Sequence, residues 1–154
     1  MFEKRVYAGW GDMDFNSHMR NTAFLDKSGD VRMMFFAENG FSTDEFIRRK
    51  IGPVIRKDEL EYFKEVLLLE ELRVTLMMAG LAEDGSRFLF RNSFWRADGA
   101  LVATVSSTGG WLDLSFRKLV APPEGLLDAL RLLQQTDDFQ RLPSNIRRGE
   151  RNVD

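Results

Sequence analysis

"WGDMDFNSHMRNTAFLDKSGDVRMMFFAENG", residues 10–40, carries two patterns end to end. From Asp12 to His18 the polar side chains Asp12, Asp14, Asn16 and His18 stand at every second position, and His18 is the only histidine of the chain. From about Thr22 to Asn39 the step changes: Phe24, Leu25, Ser28, Val31, Phe35 and Glu38 recur every three or four residues, and Met33, Met34, Phe36 and Ala37 widen the apolar surface. That spacing predicts a helix of about five turns. Asn39-Gly40 supplies its left-handed stop, and "FSTDEFIRRK" restarts a short helix capped by Ser42 or Thr43, with Glu45 near its first turn. Apolar side chains cover more than half of the long helix, which is therefore expected to be enclosed.

Outward from this stretch, residues 2–10 read as a strand that ends at Gly9-Trp10-Gly11. After Gly52-Pro53 the character turns to strands: "VIRKDELEYFKEV", "ELRVTLMMAGLA", "SRFLFRNSFWRA" and "LVATVSSTGGWLDL". Turn residues at Glu83-Asp84-Gly85 and Ala97-Asp98-Gly99 separate them, and Asp-Gly between alternating runs marks a hairpin. These are expected to form an antiparallel meander. Alternation puts Phe88, Phe90 and Phe94 on one face and Arg87, Leu89, Arg91, Ser93 and Trp95 on the other, so the first face is the core. Pro122-Pro123 ends the sheet region, "EGLLDALRLLQQ" is a short amphipathic helix, and the chain from residue 136 reads as a polar tail. One domain over residues 1–135 follows, of α+β class, with a sheet of about five antiparallel strands around a single helix. The outer sheet face is more apolar than a solvated face, which predicts a homo-oligomer.

Composition narrows the function. A formal net charge of -2 gives no general attraction to nucleic acid or to an anionic membrane. No cysteine is present, which removes disulfides, thiolate metal sites and cysteine nucleophiles. A single histidine argues against a metal site, so no metal and no cofactor are expected. No apolar run approaches the roughly 18 residues of a membrane span, and the amino terminus has no signal-peptide pattern; a cytoplasmic protein is expected. Neither G-x-S-x-G nor a phosphate-binding G-x-x-x-x-G-K-[ST] occurs. Ser106-Ser107-Thr108-Gly109-Gly110 lies inside a strand pattern, where glycine marks a bulge or a close approach. Arg141, Arg147, Arg148 and Arg151 read as a solvated terminus.

Three readings compete for residues 12–18. D-x-D-x-N opens like a calcium loop, but Ser17 stands where glycine is needed and Ala23 where the closing glutamate is needed. The segment can also be a plain connection, capped by Asp12 or Ser17. The third reading rests on order: a carboxylate, an amide and an imidazole stand immediately before the positive end of a long helix, where unpaired N–H groups hold a carbonyl oxygen or an anion. Burial beside Phe15 and Trp10 is expected to raise the Asp14 pKa toward a base useful at neutral pH, and His18 is the rival base.

At these residues the chain resembles the hotdog-fold acyl thioesterases, namely the 4-hydroxybenzoyl-CoA thioesterase-like group and its relatives acting on acyl-ACP. "WGDMDFNSHMRNTAFLDKSGDVR" is similar to the family opening G-D-x-D-x-x-x-H-x-x-N-x-x-Y-L, and its D-x-N-x-H form is similar to the Asp, Asn and His set of the acyl-ACP enzymes. Phe24 stands in place of the usual tyrosine, Arg20 where a second asparagine is frequent, and Ser28-Gly29-Asp30 in place of Glu-rich turns. The resemblance implies Asp14 as catalytic carboxylate with Asn16 and His18 as companions, and Asn21, Thr22 and Phe24 as substrate-binding residues, Asn21 also fixing the loop to the helix. It implies hydrolysis of acyl-CoA or acyl-carrier-protein thioesters by a homodimer or dimer of dimers. A binding protein of the same fold that holds thioesters without turnover is the alternative.

Overall fold

The computed structural model describes residues 1–146; Arg147, Arg148 and Arg151 lie outside them. Helix α1 spans Asn21–Glu38. Its end is closed by Asn39, whose side-chain amide donates to the Phe35 carbonyl at 2.8 Å, and by Gly40 at φ +89°, a conformation that glycine adopts without strain. Helix α2, Thr43–Arg49, is capped by Ser42, whose hydroxyl accepts the Glu45 N–H.

Seven strands form one sheet: β1 Phe2–Tyr7, β2 Ile51–Tyr62, β3 Glu71–Ala82, β4 Arg87–Arg96, β5 Leu101–Asp113, β6 Lys118–Val120 and β7 Gln135–Leu142. The order is β1-β3-β4-β5-β2, all antiparallel, with β6 beside β5 and β7 parallel to β3. A third helix, α3, covers Glu124–Leu132. The sheet curls around α1, as expected, but with seven strands rather than about five.

Two expectations are corrected by the strand order. Only β3, β4 and β5 form a meander; β2 pairs with β5 at the opposite side of the sheet from β3. The chain must therefore cross from one side to the other through residues 63–70. It crosses under the start of α1, where the Val66 carbonyl accepts the Met19 N–H at 2.9 Å and Ala8 exchanges backbone hydrogen bonds with Leu69 and Glu70. The expected tail from residue 136 is also corrected, because most of β7 lies in it. Phe139 of β7 packs on the core, and Asp138 pairs with Arg91 at 2.8 Å.

The concave face carries the core. Phe88, Phe90 and Phe94 are fully buried there, with Leu72, Val74, Leu76 and Val105. Against them lie Phe24, Val31, Phe35 and Phe36 of α1; the Phe24 and Phe94 ring centroids are 5.1 Å apart, edge to face. The helix is not enclosed on every side, as its composition suggested, since Met33 and Met34 are 37% and 39% exposed. At Gly109 the close-approach reading holds: a Cβ there would stand 2.0 Å from the Val54 carbonyl oxygen and 3.0 Å from the Phe88 ring. Among the described residues no helix is long and apolar enough to cross a membrane.

Candidate functional site

The loop between β1 and α1 begins with a single 3-10 turn, Trp10–Asp12. The two aspartates of the motif do different work. Asp12 Oδ2 accepts the Gly9 N–H at 2.7 Å and meets Lys27 Nζ of α1 at 3.0 Å, so it ties the loop to the helix. Asp14 closes a tight turn: its N–H donates to the His18 carbonyl at 2.7 Å, and Ser17 takes φ +63°. Its Oδ1 accepts the backbone N–H groups of Asn16 at 2.8 Å and His18 at 3.0 Å.

Those contacts decide its acidity. The His18 N–H is the strongest influence on the Asp14 carboxyl and, with the Asn16 N–H, holds it below its ordinary pKa. The expected upward shift is thereby corrected, because its cause is missing. Phe15 is 102% exposed and Trp10 84%, so neither ring covers the carboxylate. Asp14 stays ionised at neutral pH, held in one orientation by two backbone donors.

The other residues come from the helix start and the crossover. His18 Nε2 lies 3.1 Å from Glu65 Oε2. Asn21 opens α1, and its Oδ1 accepts the Thr22 N–H at 2.9 Å, replacing the cap that Arg20 does not provide. Phe24 is buried and meets the Tyr62 ring edge-on at 5.7 Å. Asp14, His18, Met19, Arg20, Asn21 and Phe24 from one side, and Tyr62, Phe63, Lys64, Glu65 and Val66 from the other, line a cavity of about 570 Å³. Asp14, His18, Asn21 and Phe24 are thus brought together around one space. Asn16 and Thr22 are exposed and do not line it; Thr22 Oγ1 accepts from Arg20 Nε at 3.0 Å, which steadies the rim.

Sequence reading missed Tyr62, Lys64 and Glu65. Nothing in the polar run "DELEYFKEV" sets Glu65 apart, and only the pairing of β2 with β5 sends this segment under the helix start. Tyr62 places a phenol beside Phe24, where the family's usual tyrosine has lost its hydroxyl, and burial pushes that phenol's pKa up. Among the described residues no group of three His, Cys, Asp or Glu side chains is arranged to hold a metal ion.

With this geometry in view, residues 8–130 match the family model of the thioesterase-like superfamily. The chain belongs to that superfamily. The curled antiparallel sheet around one helix is its hotdog fold, shared with solved structures at low identity. A Staphylococcus aureus protein in complex with CoA aligns at TM-score 0.79 and 21% identity, over 88% of this chain and 86% of that one. The 1,4-dihydroxy-2-naphthoyl-CoA thioesterase of Synechocystis aligns at TM-score 0.76 and 16% identity, over 86% and 96%. A gentisyl-coenzyme A thioesterase aligns at TM-score 0.74 and 18% identity, over 83% and 98%. None of the curated proteins compared with the chain matches it. In this thioesterase-like chain the matched segment contains the whole cavity lining.

Proposed function

We propose that the protein hydrolyses acyl thioesters, acyl-CoA foremost, to a free acid and a thiol. One observation carries this reading: Asp14, His18 and the opening turn of α1 share a single cavity. A thioester carbonyl placed against the helix start meets its positive end, where negative charge developing on the oxygen is stabilised. Asp14, oriented by two backbone N–H groups, either removes a proton from the attacking water or attacks the carbonyl carbon itself. In the second case an anhydride forms, the thiolate leaves and takes a proton, and water regenerates the carboxylate. His18, held by Glu65, supplies a proton carrier at the same mouth.

Lys64 and Arg20 on the cavity wall suit the phosphates of a CoA substrate. The protein works as a homodimer or dimer of dimers: β2 ends the main strand path without an outer neighbour, and Met33, Met34, Phe15 and Phe63 present apolar surface around the site. Thiol release from a panel of acyl-CoA esters tests the activity, with turnover expected. Tight acyl-CoA binding that releases no thiol would instead establish the binding-protein alternative.

A further inference from the structure

Along the groove between α1 and β2, away from Asp14, the lining changes from aromatic to ionic. Phe24, Ser28 and Arg32 follow one another at four-residue steps and so share a stripe of α1. Tyr62, Leu60 and Asp58 alternate along one face of β2 beside it. Phe24 and Tyr62 line the cavity, so Arg32 and Asp58 stand further along the same two walls.

Arg32 is half-buried and held at one nitrogen only. Its Nη1 donates to Ser107 Oγ at 3.1 Å and to Asn92 Oδ1 at 3.4 Å, two neutral acceptors on fully buried residues. Ser107 in turn donates to Asp58 Oδ1 at 2.5 Å. The Nε and Nη2 donors take no partner among the described residues. They form the edge with which a guanidinium grips a carboxylate through two parallel hydrogen bonds. Gly29 leaves that edge uncovered, since even a Cβ there would remain 3.7 Å from Nη2. Desolvation of the Arg32 guanidinium outweighs its attraction to the exposed Asp58, so the cation is left under-compensated. One turn nearer the cavity, the buried Ser28 hydroxyl has no partner either.

We propose that Arg32 anchors a carboxylate at the far end of the acyl group, so that the preferred substrates are thioesters of short dicarboxylic acids. This rests on the hydrolase reading above. The length follows from the helix: the guanidinium sits level with Gly29, seven residues past Thr22, or about 10 Å at about 1.5 Å per residue. Less one hydrogen bond, that span fits an acyl chain of roughly six carbons at the advance allowed by C–C bonds of about 1.5 Å.

The test is kcat/KM of the full chain on matched pairs: glutaryl- against pentanoyl-CoA, adipyl- against hexanoyl-CoA, and suberyl- against octanoyl-CoA. The carboxylate is expected to raise kcat/KM by about tenfold or more, most for adipyl-CoA, and Arg32→Gln should collapse that ratio mainly through KM. Arg32→Lys, which keeps the charge and loses the fork, should fall between. A wild-type ratio of one or less overturns the proposal and needs no variant to fold. An unchanged ratio in a folded Arg32→Gln protein overturns it too, as does a wild-type ratio of one joined to loss of the oligomer in that variant, which would place a second copy's carboxylate on the fork. Calorimetric binding of the unreactive thioethers S-(5-carboxypentyl)-CoA and S-hexyl-CoA separates the two readings. Selective binding of the first with no turnover of any ester would overturn the hydrolase reading and keep the anchor, whereas equal binding would overturn the anchor.

Discussion

The concave face of β3, β4 and β5 and the rim around Asp14 lie a few residues apart on α1, yet they are built by opposite means. The sheet face is held by mass: Phe88, Phe90 and Phe94 are fully excluded from water, and Phe24 and Phe36 close over them. The rim is held by single hydrogen bonds, two to the Asp14 carboxylate and one between His18 and Glu65, with Phe15 and Trp10 turned to solvent. Truncation in the first region should therefore cost folding, and truncation in the second should cost chemistry alone.

The largest effect falls in the core. Phe90→Ala should lower unfolding free energy by about 3–5 kcal/mol, measured by urea denaturation, with turnover per folded molecule nearly unchanged. A folded, inactive Phe90→Ala protein would break the contrast. At the rim, Glu65→Gln keeps the shape and removes the charge that faces His18. It should reduce kcat by about threefold to tenfold while leaving the urea midpoint within about 0.5 kcal/mol of the parent, because the side chain is exposed.

A smaller effect sits at the far end of the sheet. Burial pushes the Asp84 carboxyl up, but the Ser144 and Ser86 hydroxyls and the Ser86 N–H outweigh it and leave its pKa below the ordinary value. A carboxyl depressed in the folded state stabilises above its unfolded pKa, about 3.9, and loses that contribution as pH falls through the folded value. Amide exchange at Asn145, whose N–H donates to Ser86 Oγ, should therefore stay slow from pH 7 to about 4 and quicken only below that. Quickening already at pH 6 would contradict the assignment.

The same contrast explains what could be read from the chain. Repetition is legible: the four-residue rhythm of Phe24, Ser28 and Phe35-Phe36, the alternation of Phe88, Phe90 and Phe94, and the Asp98-Gly99 turn all announced their elements. Strand β7 was not legible, because only Thr136, Phe139 and Leu142 turn inward, at steps of three along a polar segment without the period of two. The placement of β2 beside β5 depends on pairing across some fifty residues, which no local pattern encodes. Glu65, Lys64 and Tyr62 were lost with it. Asp14, His18, Asn21 and Phe24 were recoverable because they precede or open a helix that the sequence marks plainly. The acidity of Asp14 was misjudged for a physical reason: Phe15 and Trp10 look like cover in the sequence, but a turn of five residues faces both rings outward.

The account depends most on the Asp14 carboxylate. Steady-state thiol release by Asp14→Asn, compared with the parent protein on the best acyl-CoA ester at pH 7, tests it directly. A fall in kcat of about 100-fold or more, equivalent to about 2.7 kcal/mol of lost transition-state stabilisation, is predicted with an unchanged urea midpoint. A folded Asp14→Asn protein that turns over at the parental rate would contradict it.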